Sequence, residues 1–208
     1  MSYTILHVDS SPTGDRSVSR KLTAKAIAEL TKQHPGAAVI ERDLASDPLP
    51  HLNGLTIGAF FTPPGNRNEL LSEAVRLSDQ LVDEVLAADA IVIGAPMHNF
   101  GIPSSLKAWI DHVVRAGRTF QYTEKGPVGL VPADKRVIVA LARGGDYSNE
   151  RMKAFDHQET YLRTVLGFIG LTNTSFVRAE GVAAGPDGAM RAIQSAEAQL
   201  AVAVGEAA

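Results

Sequence analysis

The sequence predicts an α/β protein built as one doubly wound parallel sheet with helices on both faces, and three observations carry that expectation. Short apolar runs alternate with longer amphipathic stretches from one end to the other. One run, AIVIGA at Ala90 to Ala95, is continuously apolar, as strands covered on both faces are. No internal repeat, low-complexity tract or linker composition divides the chain, and 208 residues of 45% hydrophobic composition suit one core and a single domain, residues 1–208.

The elements follow in order. Thr4 to Asp9 is a short apolar strand, and Ser19 to His34 places Leu22, Ala26, Ile27 and Leu30 at helical spacing, the opening of a βαβ unit. Ala38 to Glu41 is the second strand. Asp43 to Pro64 is irregular, punctuated by Pro48, Pro50, Gly54, Gly58, Pro63 and Pro64, with a helical turn possible over Leu55 to Phe60. Such a length suits a functional connection, and Phe60-Phe61 fits a lid, a subunit contact or simply core. Glu69 to Ala87 carries Leu70, Ala74, Leu77, Leu81 and Leu86 between charged residues, an amphipathic helix, and Ala90 to Ala95 is the third strand. Pro103 fits the first turn of the next helix, with Ser104 as its N-cap and Leu106, Trp109, Ile110 and Val113 as its apolar stripe. Arg136 to Ala142 is the fourth strand, His157 to Phe168 a helix, Thr172 to Ala179 the fifth strand, and Pro186 to Val204 a closing helix.

Composition excludes several functions. The net charge is -3 with a pI near 6.1, so the basic footprint of a nucleic-acid-binding protein is absent. There is no Cys, which removes disulfides, thiolate metal sites and thiol redox chemistry; any electrons must ride on a bound cofactor. No residues are expected to ligate a metal. MSYTILHVDSS lacks the pattern of a signal peptide and no apolar run reaches the roughly 18 residues of a membrane span, so a cytoplasmic protein with no membrane partner is expected.

Three loops follow strands, at the sheet edge where ligands of open α/β folds bind. The first, SSPTGDRSVS at Ser10 to Ser19, gathers hydroxyls and Arg16 at a helix N-terminus, which suits a phosphate or an ordinary cap by Ser17 or Ser19. Neither G-x-x-x-x-G-K-[ST] nor G-x-G-x-x-G occurs, which leaves a mononucleotide phosphate rather than a nucleoside triphosphate or dinucleotide. The second, Pro96 to Phe100, offers backbone groups at Met97, His98 and Asn99, an aromatic ring at Phe100, and Gly101 for close approach to a flat ligand. The third, Ala142 to Gly145, has a Gly pair for a tight turn whose N–H groups can face a ligand. Each loop also admits the plain reading of a connection. A serine hydrolase lacks its G-x-S-x-G elbow, and Asp9 alone is weak support for a phosphoacceptor.

PMHNFGIPSSLKAWIDHVVRAGRTFQYTEKGPVGL, beginning at Pro96, resembles the corresponding stretch of the FMN-dependent NADH:quinone oxidoreductases known as azoreductases, where P-M-Y-N-F precedes the helix and R-A-G-x-T-F-x-Y-T-E-x-G-P-x-G-L follows. Ser10-Ser11 through Ser19, ARGG at Ala142 to Gly145 (usually S-R-G-G), LGFIG at Leu166 and AEG at Ala179 extend the likeness over nearly the whole chain. The resemblance implies a flavodoxin-like sheet of order 2-1-3-4-5 and one non-covalent FMN per subunit. It implies that Ser11, Ser17, Val18 and Ser19 hold the phosphate, and that Pro96, Met97, His98, Asn99 and Phe100 hold the isoalloxazine. Ala142, Arg143, Gly144 and Gly145 then meet the pyrimidine end. His98 for Tyr and Ala142 for Ser are departures; the second removes a hydrogen bond worth about 0.5–1.5 kcal/mol.

The expected activity is hydride transfer from NADH, or NADPH, through FMN to quinones and azo compounds, and to nitroaromatics of similar shape, by a two-electron ping-pong route. The flavin does the chemistry, so no catalytic acid or base is assigned. Phe60, Phe100, Phe120 and Tyr122 are candidates for the apolar slot over the ring, and by resemblance Phe120 and Tyr122 approach the neighbouring subunit's flavin in a homodimer with its active site at the interface. The alternative is a flavodoxin-type electron carrier docking to a protein partner, a class that tends to be more acidic than this chain.

Overall fold

The computed structural model describes residues 3–205. Five parallel strands form one sheet: β1 (Thr4–Asp9), β2 (Ala38–Asp43), β3 (Ala90–Pro96), β6 (Arg136–Ala142) and β7 (Thr174–Ala179), in the spatial order β2-β1-β3-β6-β7. Counting only these five, the order is the expected 2-1-3-4-5. The numbering skips because a two-stranded antiparallel hairpin, β4 (Phe120–Thr123) and β5 (Gly126–Gly129), stands apart from the sheet.

Alternation along the strands builds two cores. Leu6, Val8, Ile91, Ile93, Val137 and Val139 point to one face, where α3 (Glu69–Ala87), α4 (Ser104–Val113) and α6 (Glu159–Ile169) cover them with Leu81, Trp109 and Leu162. Ile5, Val92, Ile138 and Val177 point to the other, against Leu22 of α1 (Val18–Gln33) and Leu200 of α7 (Gly185–Gly205). Both sets are buried, which explains why the central strands β3 and β6 read as nearly unbroken apolar runs rather than alternating ones. Among the described residues, no helix is long and apolar enough to cross a membrane.

Several boundaries move, for local reasons. Ser17 caps α1, its hydroxyl accepting from the Arg20 N–H, so the helix starts at Val18 rather than Ser19. Ser104 is not the cap of α4: Pro103 occupies that place and Ser104 is the first helical residue. β2 continues to Asp43, whose carboxylate is gripped by Arg20. The helix expected from His157 starts at Glu159, because the Asp156 carboxylate accepts from the N–H groups of Gln158 and Glu159 and holds that approach as a turn. In the long connection after β2 the possible helical turn is real: α2 (Gly54–Phe61) is capped by Asn53.

Candidate active site

Parallel register brings the three loops together at the carboxyl edge. Asp9 lies beside Gly94 and Pro96 beside Ala142, and the chain is sewn across at each exit. Ser10 N–H donates to the Gly94 carbonyl at 3.3 Å, Met97 N–H to that of Ala142 at 2.8 Å, and Arg143 N–H to that of Ala179 at 2.9 Å. A ligand reaching from the β1 loop to the β6 loop must pass over the turn after β3.

The first loop concentrates buried hydroxyls. Ser11, Ser17 and Ser19 are all buried; Ser11 Oγ lies 3.1 Å from Thr13 Oγ1, and Ser17 Oγ 3.1 Å from Ser19 Oγ. The N–H groups of Ser11, Val18 and Ser19 have no partner within the described chain, the usual state of a helix first turn awaiting an anion or water. Beneath them Arg20 acts as a clamp. Its Nε donates to Ser11 O at 3.0 Å, its Nη1 and Nη2 grip Asp43, and Asp9 lies 3.5 Å away. The hydrogen bond to Arg20 holds the Asp43 carboxyl far below the ordinary carboxylate range, and the same bond raises Arg20. Arg16, by contrast, is exposed.

The second loop carries the strongest local anomaly. His98 and Gly101 exchange both backbone hydrogen bonds at 3.0 Å, closing a two-residue turn in which Asn99 (φ 48°) and Phe100 (φ 70°) are both left-handed. That geometry normally recruits Asn-Gly; a bulky Phe in the second place costs about 1–3 kcal/mol and calls for a compensating function. The turn leaves the Asn99 and Phe100 N–H groups unpartnered within the described chain and the Phe100 ring 47% exposed. Met97 and His98, whose N–H groups are spent on Ala142 and Gly101, have no backbone donor to offer a ligand.

The third loop behaves as the Gly pair suggests, since neither Gly144 nor Gly145 N–H has a partner in the described chain while both carbonyls accept from residues 181–183. Arg143 is different. Its side chain is 2% exposed and turned into an ionic cluster, with Asp156 at 2.9 Å, Glu180 at 2.7 Å and Glu159 at 3.3 Å, and its Nε donates to Gln158 Oε1 at 3.0 Å. With its N–H also taken, Arg143 shapes the loop from below. Burial alone would raise the Glu159 carboxyl, yet Arg178 and Arg163 together hold it below its ordinary value.

Sequence reasoning missed the bracket at residues 155–158. Gln158, fully buried, donates from Nε2 to Ala95 O at 2.9 Å, and His157 N–H donates to Phe100 O at 3.1 Å, so the segment grips both the end of β3 and the turn beyond it. The available signal was the D-H-Q-E run (Asp156 to Glu159), polar residues at the mouth of an amphipathic helix.

The aromatic residues fall into two groups. Phe100 and Tyr122 are exposed, at 47% and 75%. Phe60 and Phe120 are engaged within the chain: the Phe60 ring lies 3.8 Å from the buried Arg115 guanidinium, and Phe120 packs on Phe168 and edge-on to Tyr122 with ring centroids 4.6 and 5.4 Å apart. Phe60 is thus a cover for a buried cation, and Phe120 a root for the hairpin.

The donor set suits a flat mononucleotide: buried hydroxyls and a free helix turn for a phosphate, then free N–H groups on two loops with an exposed ring between them. Comparison with known proteins agrees. A family model described as Flavodoxin-like fold matches residues 3–204. An FMN-dependent NADH:quinone oxidoreductase of Ralstonia nicotianae is 52% identical over 198 residues, covering 94% of each chain. The chain belongs to the FMN-dependent NADH:quinone oxidoreductase family. Solved azoreductase structures share its shape. One from Bacillus anthracis str. Sterne superposes with a TM-score of 0.88 at 33% identity, covering 98% of this chain and 99% of that one. An FMN-dependent NADH-azoreductase of Bacillus anthracis str. Ames Ancestor, in complex with FMN, gives 0.87 at 26% identity and 98% coverage of both. In this member of the FMN-dependent NADH:quinone oxidoreductase family, His98 and Ala142 both engage the turn after β3 through backbone bonds, His98 with Gly101 and Ala142 through its carbonyl with the Met97 N–H.

Proposed function

We propose that this chain is an FMN-dependent oxidoreductase that takes hydride from NADH and delivers electrons in pairs to quinones and azo compounds. The observation that carries the reading is the left-handed Asn99-Phe100 turn, with its unpartnered N–H groups, flanked on one sheet edge by two other loops with free donors. Ser11, Ser17, Val18 and Ser19 would hold the phosphate through hydroxyls and first-turn N–H groups, favoured by the helix dipole. Residues 96–100 and 142–145 would hold the isoalloxazine, with Asn99, Phe100, Gly144 and Gly145 as its backbone donors and Pro96, Met97, His98, Ala142 and Arg143 as the frame. FMN, when bound, supplies the hydride and electron chemistry. Backbone N–H groups then stabilise negative charge where it develops, at no cost of reorganisation.

Phe100 and Tyr122 supply exposed apolar surface for the slot, and Phe60 and Phe120 support the elements around it. Exposed Phe61, Tyr122 and Val128 fit a homodimer in which the hairpin of one subunit walls the other's site. An apolar slot of this kind takes NADH and a flat acceptor in turn, so the oxidised nicotinamide leaves before the acceptor enters. A quinone takes two electrons and two protons to the quinol; an azo bond takes four of each, in two rounds, to give two amines. Initial rates at several fixed quinone concentrations should give parallel double-reciprocal lines. Lines that intersect would show both substrates bound together and defeat the shared slot.

A further inference from the structure

Phe155 was not among the residues singled out by sequence. Its ring is 48% exposed and its centroid lies 5.8 Å from that of Phe100, tilted by 39°. Two half-exposed aromatic rings beside a strained turn are not slack surface, because the segment that carries Phe155 is fixed from below. His157 N–H donates to Phe100 O, Gln158 Nε2 donates to Ala95 O, and the Asp156 carboxylate, ion-paired to buried Arg143 at 2.9 Å, accepts from the N–H groups of Gln158 and Glu159. A buried network tied to the ends of β3 and β6 therefore sets the position of one exposed ring next to another. Solvent-facing phenyl groups gain nothing from such placement; a flat apolar ligand does.

We infer that Phe155 is a specificity-determining wall of the acceptor slot, which with Phe100 selects extended planar acceptors over single-ring ones. The inference rests on the FMN reading of the turn. Aromatic contacts of this kind are worth about 0.5–1.5 kcal/mol beyond simple burial, which corresponds to a factor of about 2 to 13 in affinity. The acceptor that gains most is one whose fused rings reach both side chains.

The experiment compares the FMN-loaded wild type with Phe155→Ala and Phe155→Tyr, using 1,4-naphthoquinone and 1,4-benzoquinone as acceptors and 2-naphthoate as a probe that cannot be reduced. Phe155→Ala should raise KM for 1,4-naphthoquinone about threefold to tenfold and that for 1,4-benzoquinone by a clearly smaller factor, with kcat little changed. The dissociation constant of 2-naphthoate, read from its perturbation of the flavin spectrum, should weaken in parallel, and Phe155→Tyr should restore both. Flavin-replete Phe155→Ala with unaltered KM and probe affinity would overturn the inference while leaving the FMN reading intact, as would an equal loss for both quinones. Loss of FMN or of the subunit contact in that variant would also overturn it, since the ring would then hold cofactor or partner. A wild-type protein that takes up no FMN would refute the underlying reading instead.

Discussion

Arg20 shows how one side chain can set a loop that lies outside its own helix. One guanidinium holds Ser11 O and Asp43 and lies beside Asp9, so the ends of β1 and β2 and the loop after β1 share a single fork. The sign of its pH dependence is fixed. Asp43 titrates below its ordinary 3.8 when folded, so its contribution is fully present above that pH and is lost as pH falls through the depressed value. Asp43→Asn should therefore be less stable near neutrality, by about 1 kcal/mol for a pair this exposed, and should lose less on acidification from pH 4 downward; urea unfolding across that window checks both. Ser19 makes the complementary case. It is fully buried with a free N–H, so Ser19→Asp puts a carboxylate where an anion should sit and should weaken FMN binding about tenfold or more. Unchanged flavin content in that variant would reduce the loop to a helix cap.

Among elements, the hairpin was the one least legible in the sequence. Its strands are four residues each and β5 is Gly-Pro-Val-Gly, with neither alternation nor length to announce a pair. Two strands alone are marginal, so the stability comes from docking, which local pattern cannot show. Leu130 N–H donates to Thr119 O, Val131 N–H to Ile169 O, and Gly129 approaches the end of α6 so closely that a Cβ would lie 2.3 Å from the Gly170 N atom. Gly129→Ala should cost about 1–3 kcal/mol in urea unfolding and dislodge Tyr122, because the obstacle is backbone and cannot turn aside. The long segment after β2 was half legible. Its prolines marked the breaks, but the clamp of Phe60 on Arg115 joins residues far apart in sequence, and burial there depresses the Arg115 pKa.

At the scale of the whole molecule, the sheet was legible because its central strands are apolar on both faces and its helices keep their period, with an expected and observed break at each loop. The three strand-end loops were legible for the same reason, and resemblance supplied which ligand they suit. What escaped was what crosses the fold: Gln158 bonds a carbonyl 63 residues away, and the turn's left-handed conformation is written in no motif. Proposed dimerisation also belongs to this scale. Light scattering should report a dimer at assay concentrations, and Tyr122→Ala should alter steady-state kinetics if its exposed ring faces a neighbour's site; an active monomer would remove the idea. The central claim is tested most directly by anaerobic titration of the purified, FMN-loaded protein with NADH alone, followed by absorbance and by mass spectrometry of the acid-released flavin. The account predicts one FMN per chain, released intact, and full bleaching of its visible band by about one equivalent of NADH. A flavin that stays oxidised until a partner protein is added would mark an electron carrier, and a protein that binds no FMN would contradict the account outright.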